Sequence, residues 1–220
     1  MIVFIGGMQR SGSTFCFNIA REMLSRNGPV YSEPTYDVVQ AQSNAGNAHH
    51  ILLKAHRDSD HLRRLILAGA ARAICSIRSP EDAIASWIDT FGFELEGAVQ
   101  EFELWFGMYR AIQRSCLTID YEIIEQRPAA AAGMICRYLG FGEGMAEQLA
   151  RKYSKASVMA MVQDIRRGSP GIRDIGFSCY DEVTFFHRGH IASLDRRNAA
   201  QTLSRDDLHR IRNALGGCRP

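Results

Sequence analysis

The sequence predicts an α/β chain, a three-layer α/β/α sandwich around a central parallel sheet of about four to five strands. Three observations predict it. Residues 1–5 form a continuous apolar run that stops at Gly6-Gly7, as a strand buried on both faces does. Beyond the glycines, Phe15, Ile19, Met23 and Leu24 recur at helical spacing, so strand, glycine turn and helix follow one another. The alternation then repeats, with apolar runs at His50–Lys54, Ala71–Ile77 and Cys116–Asp120, each leading into a helical or turn-forming segment.

The elements follow in order. Gly28-Pro29 turns the chain into a short strand at Val30-Tyr31. Asp58 or Asp60 caps a helix through Leu62, Leu65, Ile66 and Leu67. Pro80-Glu81-Asp82 starts another, with proline at the first helical position and acids in the first turn. Phe102, Trp105, Phe106 and Tyr109 stand at i, i+3, i+4 and i+7, which predicts a long amphipathic helix over 94–114 with this stripe in the core. A further helix is expected over 129–139. Residues 166–182 hold Gly168, Pro170, Gly171 and Gly176 without any period, and so read as a long mobile loop gating a pocket. Ser204 caps a last helix that runs through Leu215 and ends at Gly216-Gly217. No repeat interrupts the pattern, and residues 1–220 read as one domain.

Composition narrows the function classes. The chain is 46% apolar and its net charge is +2, with both signs interspersed, so it lacks the basic field that nucleic acid requires. No stretch of about 20 apolar residues is present to span a membrane, and the short first apolar run is no signal peptide. The six cysteines form no C-x-x-C pair and several lie in apolar runs, so they read as reduced buried thiols, without disulfide or zinc. A cytoplasmic protein of bacterial type is expected. Lysine occurs only at Lys54, Lys152 and Lys155, which singles out Lys54 at a strand end.

Gly7-Met8-Gln9-Arg10-Ser11-Gly12-Ser13-Thr14 has the frame G-x-x-x-x-G-x-[ST], placed between a strand and a helix. Small residues there let backbone N–H groups converge on anionic oxygens, and the helix N-terminus adds the positive end of its dipole. A P-loop kinase would carry lysine where this chain has Ser13. The loop's cation is Arg10, placed earlier, which suits a shorter donor with one transferable group on a 5′-phosphate.

Gln9-Arg10-Ser11-Gly12-Ser13-Thr14 resembles the 5′-phosphosulfate loop of the sulfotransferase superfamily that uses 3′-phosphoadenosine 5′-phosphosulfate (PAPS), with Gln9 replacing the usual proline. A second signature agrees. The strand Ala73 to Ile77 is followed by Arg78, a Pro-acid turn and Ser86, eight residues after the arginine. Arg78 at a strand end and Ser86 two turns into a helix can face one phosphate, which the resemblance identifies as the 3′-phosphate of the donor. Weaker matches follow. Phe15 resembles an adenine-stacking aromatic and is equally placed as a core residue. Tyr121 matches a tyrosine near the adenosine or is a buried anchor. The segment Ser157-Val158-Met159-Ala160-Met161 resembles an adenine contact. Phe186-His187-Arg188-Gly189 resembles a turn covering the 3′-phosphate, with His187 in place of one cation.

Lys54-Ala55-His56 looks like the family's K-T-H segment, in which alternate residues of an extended chain point the same way. The resemblance implies His56 as the base taking the acceptor's proton and Lys54 as the group stabilising charge on the leaving phosphate. Glu33, after the short second strand, is the rival base. The implied reaction moves a sulfuryl group to a hydroxyl or amine of a small-molecule, glycan or natural-product acceptor, releasing 3′-phosphoadenosine 5′-phosphate (PAP), with no metal needed. The alternatives are a P-loop small-molecule kinase, with Asp120 as its metal-binding acid, and a non-catalytic nucleotide-binding protein. The segments 12–54 and 166–182 are expected to build the acceptor pocket. No dimer motif is recognised.

Overall fold

The computed structural model describes residues 1–176, 178–188 and 199–215. Five parallel strands form the central sheet, in the order β2-β3-β1-β4-β5. They are β1 (Ile2–Ile5), β2 (Val30–Glu33), β3 (His50–Lys54), β4 (Ala71–Ile77) and β5 (Cys116–Asp120). Alternate side chains serve opposite faces. Val3, Ile5, Leu52, Ile74 and Ile119 pack under α1 (Ser13–Ser25), α7 (Pro128–Leu139) and α8 (Ala146–Lys152). Phe4, Leu53, Ala73, Cys75 and Ile77 pack on the other face under α3 (Asp60–Leu67), α4 (Pro80–Phe91), α5 (Leu95–Ile112) and α11 (Arg205–Leu215). The three expected layers are present, and the inner strands β1, β3 and β4 are largely buried on both sides.

The chain leaves β1 toward the β2 edge, returns through β3, and crosses to β4 and β5. The order therefore reverses at β1, and a crevice opens at the carboxyl ends of β1, β3 and β4. The remaining elements frame it. They are α2 (Val38–Asn44), α6 (Tyr121–Gln126), α9 (Lys155–Gln163), a ribbon of β6 (Ile172–Asp174) and β7 (Cys179–Asp181), and α10 (Ala199–Thr202).

Local rules set most boundaries. Pro80 opens α4 with Ser79 as its cap, and the α11 cap is reciprocal, Asp207 N–H donating to Ser204 Oγ while the Ser204 hydroxyl donates to Asp207 Oδ2. Two expectations change. Neither aspartate caps α3; Ser59 does, its Oγ accepting from Leu62 N, and Asp60 is the first helical residue. The segment 166–182 is not wholly irregular, because Ile172↔Asp181 to Asp174↔Cys179 pair as an antiparallel ribbon. Three residues per strand gave no visible alternation. Gly216 and Gly217 lie outside the described residues.

The stripe on α5 is core, as its spacing predicts. Trp105 is fully buried, stacks on Tyr109 at 5.1 Å, and its Nε1–H donates to the Gly6 carbonyl at 2.8 Å. It thereby pins the loop after β1 from below. Trp105→Phe is expected to lower stability by about 2–3 kcal/mol, because a buried carbonyl loses its donor and the smaller ring leaves a void. A urea denaturation midpoint unchanged from wild type would contradict that role.

Candidate active site

Beyond β1 the chain runs alongside β4, with Gly6 N bonded to Ile74 O and Met8 N to Ser76 O, both at 2.9 Å. Gly7 lies so close to the first turn of α1 that a Cβ would stand 2.2 Å from Ser76 Oγ and 2.6 Å from Ser13 Cβ. Gly12 caps α1 at φ 86, a left-handed conformation. Between them the Ser11 hydroxyl is fully buried, within 2.5 Å of Met8 O, 2.9 Å of Ser76 O and 2.7 Å of Ser76 Oγ. Ser11 therefore staples the loop to β4 and does not line the cavity. Gly12, Ser13 and Thr14 do line it, at the positive end of a 13-residue helix.

Arg10 is one of two non-glycine residues with positive φ among those described, at φ 59. That conformation costs about 1–2 kcal/mol for a residue bearing a Cβ. Its Nε donates to Ser86 Oγ at 3.1 Å, and its guanidinium lies 5.6 Å from the Phe91 ring centroid. Arg78, leaving the end of β4, donates to the Arg10 carbonyl at 3.2 Å and stacks 4.5 Å over Tyr121. Burial, and then the neighbouring Arg78 charge, pull the Arg10 guanidinium down to about 10, while Tyr121 and Asp89 act in the opposite sense. Gln9 Oε1 and Arg78 Nε are buried without a hydrogen-bond partner among the described residues. Of the two, Arg78 Nε–H is a donor that an anionic ligand at the glycine cradle would satisfy.

The third strand end carries Lys54 and His56. His56 Nδ1 stands 2.6 Å from the Gly7 carbonyl. A carbonyl only accepts, so Nδ1 bears the proton and Nε2 keeps its lone pair. Burial, and then the Lys54 charge, hold this imidazole down to about 3, against the opposing Gly7 hydrogen bond. Burial holds the Lys54 ammonium down to about 8. The imidazole is therefore neutral at pH 7, and the amine beside it is still mostly charged.

Arg10, the Gly12–Thr14 turn and the two strand ends that carry Lys54 and Arg78 line one cavity of about 730 Å³. Phe15, Tyr121, Arg78, Ser86, Lys54 and His56 all face it. Glu33 does not. It sits at the end of edge strand β2, where Tyr31 Oη donates to its Oε2 at 2.7 Å. Arg188 also turns away, bonding the Gln163 carbonyl at 3.3 Å, whereas His187 faces the cavity. Gly189 lies outside the described residues. From the segment 157–161 only Val158 reaches the wall, since the Ser157 hydroxyl is engaged with Arg151 O at 3.0 Å.

Several wall residues escaped sequence reasoning. Tyr153 accepts Arg21 Nη2 and donates to Glu22, which also pairs with Lys152 at 2.7 Å. Lys155 pairs with Glu125, and both line the cavity. Phe185 stacks on Phe17 at 4.4 Å and presents the next residue, Phe186, to the same wall. The scarcity of lysine that marked Lys54 applied equally to Lys152 and Lys155. Asp89, Phe91 and Phe93 follow Ser86 around α4 and its end to line the cavity, a helical continuation readable from their spacing.

No protein-family model matches the chain. No curated protein matches it in sequence. Its backbone, however, is shared with solved sulfotransferases. The structure of mouse sulfotransferase SULT7A1 complexed with PAP superposes with a TM-score of 0.64 over 99% of this chain and 84% of that one, at 13% identity. Retinol dehydratase in complex with androsterone and inactive cofactor PAP superposes at 0.63 over 98% and 80%, at 11% identity. A retinol dehydratase complex with retinol and PAP gives 0.62. The likeness is one of fold: the chain has the α/β fold of these structures. At these identities the common feature is the path of the backbone, and it runs through nearly the whole chain.

Proposed function

We propose that the protein is a PAPS-dependent sulfotransferase acting on a hydroxyl or amine of a small-molecule, glycan or natural-product acceptor. One observation carries the reading. Three adjacent strand ends bring together a glycine loop, two half-buried guanidiniums and a neutral imidazole within the influence of a lysine. In this reading the backbone of Gly12, Ser13 and Thr14 holds the 5′-phosphosulfate. Arg78 and Ser86 bind the 3′-phosphate, and Phe15, Tyr121 and Val158 border the adenosine.

His56 Nε2 takes the acceptor's proton as the acceptor atom bonds to sulfur, and Lys54 stabilises the charge left on the phosphate oxygen as its bond to sulfur breaks. Such in-line transfer depends mainly on positioning and electrostatic stabilisation. Glu33, bonded within the edge strand, is displaced as a base. The whole chain acts as one unit. Among the described residues no helix is long and apolar enough to cross a membrane. Free thiols at Cys16, Cys75 and Cys136 support a cytoplasmic setting.

Isothermal titration tests the donor site. PAP is expected to bind without metal and far better than AMP or ADP with Mg²⁺, and Arg78→Ala is expected to weaken PAP by about 10²-fold through loss of charge-assisted bonds. Preference for ADP with Mg²⁺ would instead make the protein a small-molecule kinase. Asp120, the acid such an enzyme would need, is exposed and caps α6 by accepting from Glu122 N at 2.8 Å.

A further inference from the structure

The wall between α6 and α9 carries one inference more, and it rests on the sulfuryl-transfer reading. We propose that the ion pair of Glu125 and Lys155 reads the edge of the donor's adenine, the carboxylate accepting from the exocyclic amine and the ammonium donating to the ring nitrogen beside it.

Two helices place the pair. On α6, the Tyr121 ring lies 4.5 Å from the Arg78 guanidinium. Ile124 stands so near the glycine loop that a Cβ on Gly12 would come within 2.9 Å of its Cδ1. The helix is therefore held against the loop after β1 and the end of β4. Glu125 follows Tyr121 by four residues, on the same face one turn further along. On α9, Lys155 precedes Val158 by three, which again puts the two on one face. Tyr121, Ile124, Glu125, Lys155 and Val158 all line the cavity. The Glu125–Lys155 bond thus ties together the two helices whose Tyr121 and Val158 the sulfuryl-transfer reading sets beside the adenosine. Its carboxylate is the more enclosed partner, with a side chain 15% exposed against 38% for the lysine. Such a pair adds little to stability, because the loss of solvation offsets the attraction. In a cavity wall it offers a ligand an acceptor and a donor side by side.

Adenine is complementary to that arrangement. Its exocyclic amine donates, and the ring nitrogens on either side of the amine accept. A carboxylate has about four acceptor positions on its two oxygens, and an ammonium has several donors, so each can keep its present partners and still engage the base. Hypoxanthine carries a carbonyl oxygen where adenine has the amine. That oxygen would meet a carboxylate with nothing to donate, and the site would reject the base by repulsion as well as by a lost bond.

The test is titration of wild type and Glu125→Gln with PAP and with its inosine analogue, 3′-phosphoinosine 5′-phosphate. Wild type is expected to favour PAP by about 10- to 100-fold, the effect of a hydrogen bond to a charged group. In Glu125→Gln the side-chain amide can donate to the carbonyl oxygen. PAP should then weaken by about 10-fold while the analogue holds or gains, so that the preference collapses. Equal binding of the two nucleotides by wild type overturns the assignment. So does a parallel loss on both in the variant with the preference kept, which would leave the pair as a strut between α6 and α9. Should Glu125→Gln fail to fold, Lys155→Met, which keeps the aliphatic stem, should also narrow the preference, and an unchanged preference overturns the assignment. AMP separates this inference from the reading beneath it, since AMP shares the base and lacks the 3′-phosphate. A wild type that binds PAP no better than AMP overturns the sulfuryl-transfer reading and this inference with it, whereas failure of the base comparison alone leaves that reading standing.

Discussion

Replacing His56 with Ala is expected to lower kcat by about 10²- to 10⁴-fold, the usual contribution of a positioned general base, while PAP affinity stays near wild type. The Gly7 carbonyl fixes the tautomer and aims Nε2, so the effect should appear in the chemical step and not in donor binding. Glu33→Ala is the contrasting variant. It removes a carboxylate engaged by Tyr31 and outside the cavity, and turnover should be nearly unchanged.

The pH dependence follows from the same two groups. A base acts in its neutral form, and burial with the Lys54 charge keeps His56 neutral down to about pH 3 in the free protein. Lys54 acts in its charged form, which is lost above about pH 8. The profile of kcat/KM should therefore be flat across the acid and neutral range and fall on the alkaline side near 8. The donor's negative charges favour imidazolium, so the acid limb of kcat should lie higher than that of kcat/KM. An acid limb of kcat/KM close to 6.5 would mean that His56 is not enclosed in the way these contacts describe.

Lys54→Met should abolish turnover and raise stability together. Burial depresses the folded-state value of Lys54 to about 8 from an ordinary 10.5, so the unfolded chain binds the proton more tightly. The charged lysine therefore destabilises the native state below about pH 8. The penalty fades as pH rises to 10.5, and wild-type stability should climb across that window. At pH 7 the cost is about 2 kcal/mol once the partial exposure of Lys54 to the cavity is allowed for. Methionine fills similar space without charge, and for a chain of this size the gain corresponds to about 2–4 °C per kcal/mol. A variant less stable than wild type at pH 7 would show that the ammonium has a stabilising partner in the native state. The same side chain would thus be costly to the fold and necessary to the chemistry, the pattern expected of a functional group on an otherwise stable scaffold.

The contrast between Arg10 and Ser11 shows how far residue spacing reaches. Both belong to one six-residue motif, and both read as loop ligands. In the folded chain Ser11 is turned into the interior onto Ser76, and Arg10 reaches across to Ser86. Backbone φ at Arg10 and the closeness of β4 decide this, and neither leaves a mark in a linear pattern. Glu33 and Arg188 likewise stand at plausible positions in the chain but point elsewhere, because an edge strand and a carbonyl at Gln163 engage them.

By itself the sequence determined what depends on neighbours in the chain. Apolar runs marked the strands, the glycine loop marked the turn from β1 into α1, Pro80 and Ser204 marked helix starts, and alternation placed Lys54 and His56 together at a strand end. Tertiary structure alone decided the strand order β2-β3-β1-β4-β5, which brings the ends of β1, β3 and β4 side by side. It also decided which side chains enter the cavity between them. Local periodicity records the face that a segment buries. The direction of a single polar side chain depends on partners 49 to 76 residues away, as with His56 on Gly7 and Arg10 on Ser86, and those partners become neighbours only after the sheet is assembled.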